Sequence, residues 1–239
     1  MRNNITKTAA IAVAIGAASL SMPANAQDEG EEEIDEGPGA ITVSGGVAVV
    51  SDYRFRGVSL TNKDFAVQPT LTVSHESGLY VGAWGSNVAP NGGDDVEVDL
   101  FAGFSGGDGV TYDVGATYYL YPGASGFNYV ELAGKLGTTI GPAQLGATVA
   151  YVPSQNNTGN QDNIYIAGNL GVGIPGTPVS LSASLGLEDG AFGNNKVDWS
   201  LGATAEVEGF TLGASYVDTN RFIGGLGKAG VVFSVAYNF

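Results

Sequence analysis

The sequence predicts an all-β chain closed into an antiparallel transmembrane β-barrel of about twelve strands. Three observations predict it. Apolar side chains recur at every second position from Ala40 onward, tight turns alternate with longer connections, and the opposite parity carries Gly, Ser, Thr, Asp and Glu, which cannot make a dry core.

Residues 1–26 read as a secretory signal peptide cleaved after Ala26. Arg2 and Lys7 give a positive start, Thr8 to Met22 is apolar, and Pro23-Ala24-Asn25-Ala26 offers an A-x-A cleavage site. The apolar run is short for a membrane span. The chain has no Cys, so neither a lipid-anchored cysteine nor a disulfide is available. Residues 27–39 hold Asp28, Glu29, Glu31, Glu32, Glu33, Asp35 and Glu36, which repel one another and offer nothing to bury, so a solvated acidic tail is expected. The barrel is expected over residues 40–239.

Without Arg2 and Lys7 the remaining chain has 7 basic against 24 acidic residues. That balance excludes a nucleic-acid partner, because phosphate binding needs a basic footprint. Apolar residues make up 44% and charged residues 14%, which is too apolar for a disordered chain.

Strands are expected at 41–57, 65–75, 79–87, 95–105, 110–121, 129–139, 143–152, 163–174, 179–187, 196–207, 210–217 and 228–239. In one, Val96, Val98, Leu100, Ala102 and Phe104 alternate with Glu97, Asp99, Phe101 and Gly103. In the next, Val110, Tyr112, Val114, Ala116, Tyr118 and Leu120 alternate with Thr111, Asp113, Gly115 and Thr117. Leu181, Ala183, Leu185 and Leu187 alternate with serines and Gly186, and Trp199 to Val207 repeats the pattern. Pro69 interrupts the second strand, and a bulge or break is expected there because proline lacks the N–H of a ladder bond.

Tight connections fall at Glu76–Gly78, Gly106–Gly109, Ile140–Pro142, Pro175–Pro178 and Glu208–Gly209. Longer ones fall at Val58–Asp64, Val88–Asp94, Pro122–Asn128, Pro153–Asp162, Glu188–Asn195 and Asp218–Gly227. Short periplasmic turns and long outer loops alternate in this way in transmembrane barrels. A polar interior and an apolar exterior require closure, because an open strand edge in hydrocarbon leaves backbone groups unpaired.

Outward aromatics sort into two girdles. Tyr53, Phe55, Phe65, Tyr118, Tyr151, Trp199 and Tyr216 are expected at the long-loop rim, and Phe104, Tyr112, Phe210, Tyr237 and Phe239 at the tight-turn rim. The last strand, Val231 to Phe239, ends on Phe with apolar residues at every second position. It resembles the C-terminal signal of outer-membrane barrels, which implies the barrel-assembly machinery as a partner.

Ser51-Asp52-Tyr53-Arg54-Phe55-Arg56-Gly57 resembles the opening motif of the TorF family of porin-like proteins. Thr111 to Gly115, Tyr118 to Gly123 and Asn128 to Leu132 resemble further blocks of that family. The likeness spans most of residues 41–239 and implies an outer-membrane barrel and a pore.

The candidate lumen residues are Asp52, Arg54, Arg56, Glu97, Asp99, Asp113, Glu131 and Lys135, with Asp198 and Glu206 beside them. Arg54 and Arg56 are read as inward positions of the first strand. Such a set either tunes ion selectivity or braces a closed interior through Arg–carboxylate pairs. Acids outnumber bases, so a weak cation preference is expected. Twelve strands tilted by about 40° enclose a backbone radius of roughly 12 Å. Inward Tyr80, Trp84, Phe101, Tyr119 and Tyr165 narrow it, so a slender passage for small hydrophilic solutes is expected.

Enzymatic chemistry is not expected. The one His, His75, falls beside a tight turn, and no G-x-S-x-G occurs. Gly171 to Gly176 matches G-x-G-x-x-G, but Pro175 and Pro178 forbid the helix that motif needs. No cofactor is implied. Outer-membrane lipid and lipopolysaccharide are the expected surroundings, with Asp94 and Asp95 read as a solvated loop or a divalent-ion contact to lipopolysaccharide. A non-conducting surface barrel with a salt-bridged lumen is the alternative.

Overall fold

The computed structural model describes residues 40–91 and 94–239. The expectations for the signal peptide (1–26) and the acidic tail (27–39), and the Asp94 side chain, lie outside what it describes.

Fourteen strands follow in order: β1 (Ile41–Val50), β2 (Arg54–Phe55), β3 (Val58–Ser59), β4 (Ala66–His75), β5 (Leu79–Asn91), β6 (Asp94–Gly106), β7 (Val110–Leu120), β8 (Tyr129–Ile140), β9 (Ala143–Val152), β10 (Asn163–Gly173), β11 (Val179–Gly190), β12 (Gly193–Val207), β13 (Phe210–Thr219) and β14 (Gly230–Asn238). Twelve of them form one closed antiparallel barrel in sequence order, in which β14 pairs with β1; β2 and β3 form a separate hairpin. Phe239 completes the closure by exchanging two backbone hydrogen bonds with Gly45, both at 2.9 Å.

The period-two pattern sorts the side chains inside out. Val43, Val81, Val114, Leu136, Leu185, Leu201 and Phe233 face outward and are exposed, Leu136 by 59% and Leu201 by 61%. Their neighbours of opposite parity, among them Asp99, Asp113, Thr117 and Glu131, are buried inside. A single strand face presenting only apolar atoms to the exterior is the pattern of a lipid-facing wall. Among the described residues no helix is long and apolar enough to cross a membrane.

Three expectations are corrected. The first strand ends at Val50 rather than at residue 57. The Ser51 N–H still bonds the Phe233 carbonyl at 2.8 Å, and the chain then leaves the wall and turns inward. Tyr53 and Phe55 therefore do not belong to the outward girdle: Tyr53 is 1% exposed, and Phe55 packs among the interior aromatics.

The alternation of long and short connections is also less regular than the sequence suggests. β11 runs on to Gly190 and β12 begins at Gly193, so the expected long connection at 188–195 closes in a tight turn. The cause is a charge pair within the wall. Glu188 stands directly opposite Lys196 in the register, and their side chains meet at 2.6 Å. Charges that read as loop composition thus continue the ladder. In the same way β5 and β6 extend to Asn91 and from Asp94, with a register irregularity between Asn87 and Asn91.

Pro69 neither breaks nor bulges β4, which pairs with β1 without interruption from Ala66 to His75. Its effect falls on the other side. The β4–β5 ladder runs only from Thr70–Trp84 to Ser74–Tyr80. Beyond it the Asn87 side chain takes over, accepting from the Val67 N–H at 2.8 Å and donating to the Phe65 carbonyl at 2.9 Å. A side-chain amide replaces the peptide groups that the ladder lacks.

Candidate lumen site

The segment after β1 folds into the barrel as a hairpin, with Arg56-Gly57 between β2 and β3. Both turn residues have positive φ, 48° and 85°. Positive φ at both central positions is the type I′ geometry, which matches the twist of the flanking strands and favours Gly at the second position. Arg56 occupies the position where Asn or Gly is usual. That strain, of order 1 kcal/mol, is offset by what the side chain reaches from the tip.

Asp52 organises the base of the hairpin. It accepts from Ser59 Oγ at 2.6 Å and from Arg54 Nε. Arg54 Nη1 also donates to the carbonyls of Gly57, Leu226 and Lys228, so the connection before β14 clasps the hairpin from outside. The Ser59 N–H bonds the Leu226 carbonyl at 3.0 Å. Arg54 thus serves as a structural tie rather than a wall charge.

Arg56 reaches across the lumen. Its Nη2 donates to Glu131 Oε2 on β8 at 2.6 Å and its Nη1 to Glu188 Oε1 on β11 at 2.7 Å. The guanidinium also lies 4.2 Å from the Tyr165 ring centroid and 4.6 Å from that of Phe55. Lys196 Nζ donates to the Arg56 carbonyl at 2.7 Å while pairing with Glu188. Burial opposes the charge on Arg56, but Glu131 and Glu188 more than offset it and hold its pKa above the ordinary arginine value.

The segment therefore touches the wall over most of its circumference. Tyr53 packs edge-on against Trp84 of β5 at 5.4 Å and donates to Glu97 of β6 at 3.1 Å. Phe55 meets Tyr119 of β7 at 6.1 Å. Gly57 lies so close to Thr219 and Asp198 that an added Cβ would stand 2.8 and 2.9 Å from their side chains. The hairpin sits inside the barrel at the level of Glu97, Glu131 and Glu188. Toward the tight-turn rim the inward Ser182, Ser184, Thr148 and Asn169 are only half-buried, which leaves a vestibule of small polar side chains.

Four lumen carboxylates each accept from a tyrosine hydroxyl: Glu97 from Tyr53, Asp113 from Tyr80 at 2.8 Å, Glu131 from Tyr119 at 3.3 Å and Asp198 from Tyr165 at 3.1 Å. The tyrosines lie along the wall because small residues stand beside them. A Cβ on Gly103 or Gly186 would collide with the Tyr80 or Tyr165 ring.

Of the sequence-predicted site residues, Glu97, Asp99, Asp113 and Glu131 are buried wall positions, and Lys135 stands opposite Asp113 in the β7–β8 register. Asp52, Arg54 and Arg56 come instead from the loop that enters the lumen. Glu206 lies near the tight-turn rim, accepting from Thr211 at 2.8 Å. Sequence reasoning missed Glu188, which sat in an expected loop, Lys196, which opens an expected strand, and Asn163, which donates to Glu188 at 3.0 Å. The missed signal was Arg56-Gly57 between Phe55 and Val58, a hairpin turn with arginine where asparagine is common. His75 bonds Ser77 at 2.8 Å within the exposed β4–β5 turn, on the rim away from this site.

A family model described as "Bacterial protein of unknown function (Gcw_chp)" matches residues 34–235. The chain belongs to that family. No curated protein matches the sequence. Among solved structures, the Gcw_chp chain is similar to the KdgM porin, with a TM-score of 0.54 at 7% identity over 82% of this chain and 98% of that one. The NanC porin gives 0.53 at 11% identity, again over 82% and 98%. A KdgM porin in complex with disordered oligogalacturonate gives 0.54 at 7% identity over 83% and 98%. At these identities the likeness concerns the fold: a closed twelve-strand barrel of the outer-membrane porin type. It does not single out the TorF family.

Proposed function

We propose that this Gcw_chp chain is an exported outer-membrane channel for small hydrophilic solutes or ions, with its first outer loop folded in as a stopper. The observation that carries the reading is the partition of the wall. Val, Leu and Ile are exposed outside while carboxylates, hydroxyls and amides line the inside. Only a hydrocarbon surrounding makes that partition favourable. The porin-type fold and the SDYRFRG resemblance to the TorF family support it.

The passage is narrow and weakly cation-preferring. Glu97, Asp99, Asp113, Glu131, Glu188 and Asp198 outnumber Arg56, Lys135 and Lys196 on the interior, and a ring of carboxylates favours cations. The oligogalacturonate named with one KdgM structure is a polyanion, and this interior is ill-suited to one.

A second reading keeps the barrel and removes the flux: a surface barrel braced by a salt-bridged lumen. The double pairing of Arg56 with Glu131 and Glu188 favours it. Single-channel recording of the purified full chain and of Arg56→Ala in planar bilayers separates the two. The channel reading expects discrete steps, more frequent or larger in Arg56→Ala, with reversal potentials on the cation side. Silence in both proteins overturns it in favour of the braced barrel.

A further inference from the structure

We infer that Asp99 and Glu97, behind the Tyr53 side of the plug, form a binding site for a monovalent inorganic cation of sodium or potassium size. This deepens the channel reading by naming the class of ion and the place where it rests.

Asp99 is 0% exposed, and among the described residues neither of its carboxylate oxygens has a hydrogen-bond partner. Glu97, two residues away on the same face of β6, is 1% exposed, and its Oε2 also lacks a partner. Its other oxygen accepts from the Tyr53 hydroxyl, and Tyr121 also bonds this carboxylate. Buried carboxylates without partners are costly, and buried polar groups are almost always satisfied. Protonating Asp99 does not remove the cost, because a neutral acid still needs an acceptor for its O–H and a donor for its C=O.

The surroundings suit a cation. In the register Asp99 stands between Trp84 of β5 and Tyr119 of β7, and Tyr53 packs against Trp84 from the lumen side. Aromatic faces beside a carboxylate attract a positive ion. The guanidinium of Arg56 is held by Glu131 and Glu188 instead. Among the described residues no three His, Cys, Asp or Glu side chains group as a metal centre. Two carboxylates and a hydroxyl are fewer anionic ligands than a tightly held metal takes, so a permeating ion can both enter and leave.

The test uses the full chain folded in detergent micelles, with Trp199→Phe so that Trp84 is the one remaining tryptophan. Sodium or potassium chloride is exchanged for N-methylglucamine chloride at constant ionic strength and pH, and Trp84 fluorescence is followed. The expected result is a saturable change whose half-point rises at least tenfold in Asp99→Asn and at least threefold in Glu97→Gln. Heat-shifted gel mobility shows that each variant is folded, and the Glu97 variant carries the test if the Asp99 variant does not fold. In planar bilayers Asp99→Asn is expected to lower the cation-to-anion permeability ratio several-fold. A saturable, Asp99-dependent signal from a barrel that does not conduct sustains the site and removes the channel. Fluorescence indifferent to sodium and potassium, or unchanged by both substitutions, overturns the site, as does a response to pH alone, which indicates a proton shared by the two acids.

Discussion

Arg56 and Glu188 lie 132 residues apart in the chain and 2.7 Å apart in space. The contact joins a loop tip to the wall of the barrel. The glutamate is doubly engaged, by Arg56 on one oxygen and Lys196 on the other. Removing one partner of such a buried group leaves the rest uncompensated.

Arg56→Ala is therefore expected to destabilise the barrel by about 3–5 kcal/mol, since Glu131 and Glu188 are left buried without the guanidinium. Urea unfolding of the micelle-bound protein, followed by tryptophan fluorescence, measures it. Arg56→Lys recovers only part of the loss, because an ammonium lacks the planar fork that serves two carboxylates. Equal stability of all three proteins would show that the bridge carries little.

Gly57→Val tests the seating of the plug separately from its charge. The site demands φ near 85° and offers no room beside Thr219 and Asp198. The left-handed backbone alone costs about 1–2 kcal/mol for a residue with a Cβ, and the crowding adds to it. The expected outcome is a folded barrel whose residues 51–65 become sensitive to protease added from the long-loop side. Resistance equal to the parent contradicts the seating.

The inside-out partition is tested by a pair of neighbours. Leu132 is exposed on the outer face and Ala133 is buried on the inner one. Leu132→Arg, opposite Tyr151 on the outer face, is expected to cost about 1 kcal/mol or more of folding into lipid vesicles. Ala133→Ser, on the same inner face as Glu131 and Lys135, costs far less. Reversal of that order rejects the lipid-facing assignment.

The β4–β5 seam gives a further expectation. Asn87→Ala removes both bonds that span the gap beyond Pro69. Hydrogen exchange at Val67 and its neighbours is expected to accelerate at least tenfold while β8 and β9 are unaffected. Uniform exchange rates would mean that the strands hold without the amide bridge.

How far this architecture can be read from the sequence follows from what a period of two encodes. Leu132 beside Glu131 and Leu100 beside Asp99 declare opposite faces wherever the chain stays in the wall, so closure, strand number and the acidic interior were legible. Parity fails where the chain leaves the sheet. Arg54, Arg56, Tyr53 and Phe55 keep an alternating pattern through residues 51–57, yet they occupy a hairpin whose orientation depends on Glu131 and Glu188, far away in the chain. Glu188 was lost for the converse reason: the Glu, Asp, Gly and Asn residues from 188 to 195 look like a loop until the pairing with Lys196 is seen. Pro69 was read correctly as a missing donor, but which neighbour loses the bond is decided by the register.

The central claim is that residues 54–59 stopper a conducting lumen, and a lock within one molecule tests it most directly. The chain has no Cys, and the rings of Phe55 and Tyr119 lie 6.1 Å apart. Single-channel current through Phe55→Cys/Tyr119→Cys is to be recorded after the two thiols are bridged by a bifunctional methanethiosulfonate, whose spacer spans the ring-to-ring gap, and again after reduction removes the bridge. The account predicts a silent bridged barrel that gains discrete cation-preferring steps on reduction; equal current in both states, or none in either, contradicts it.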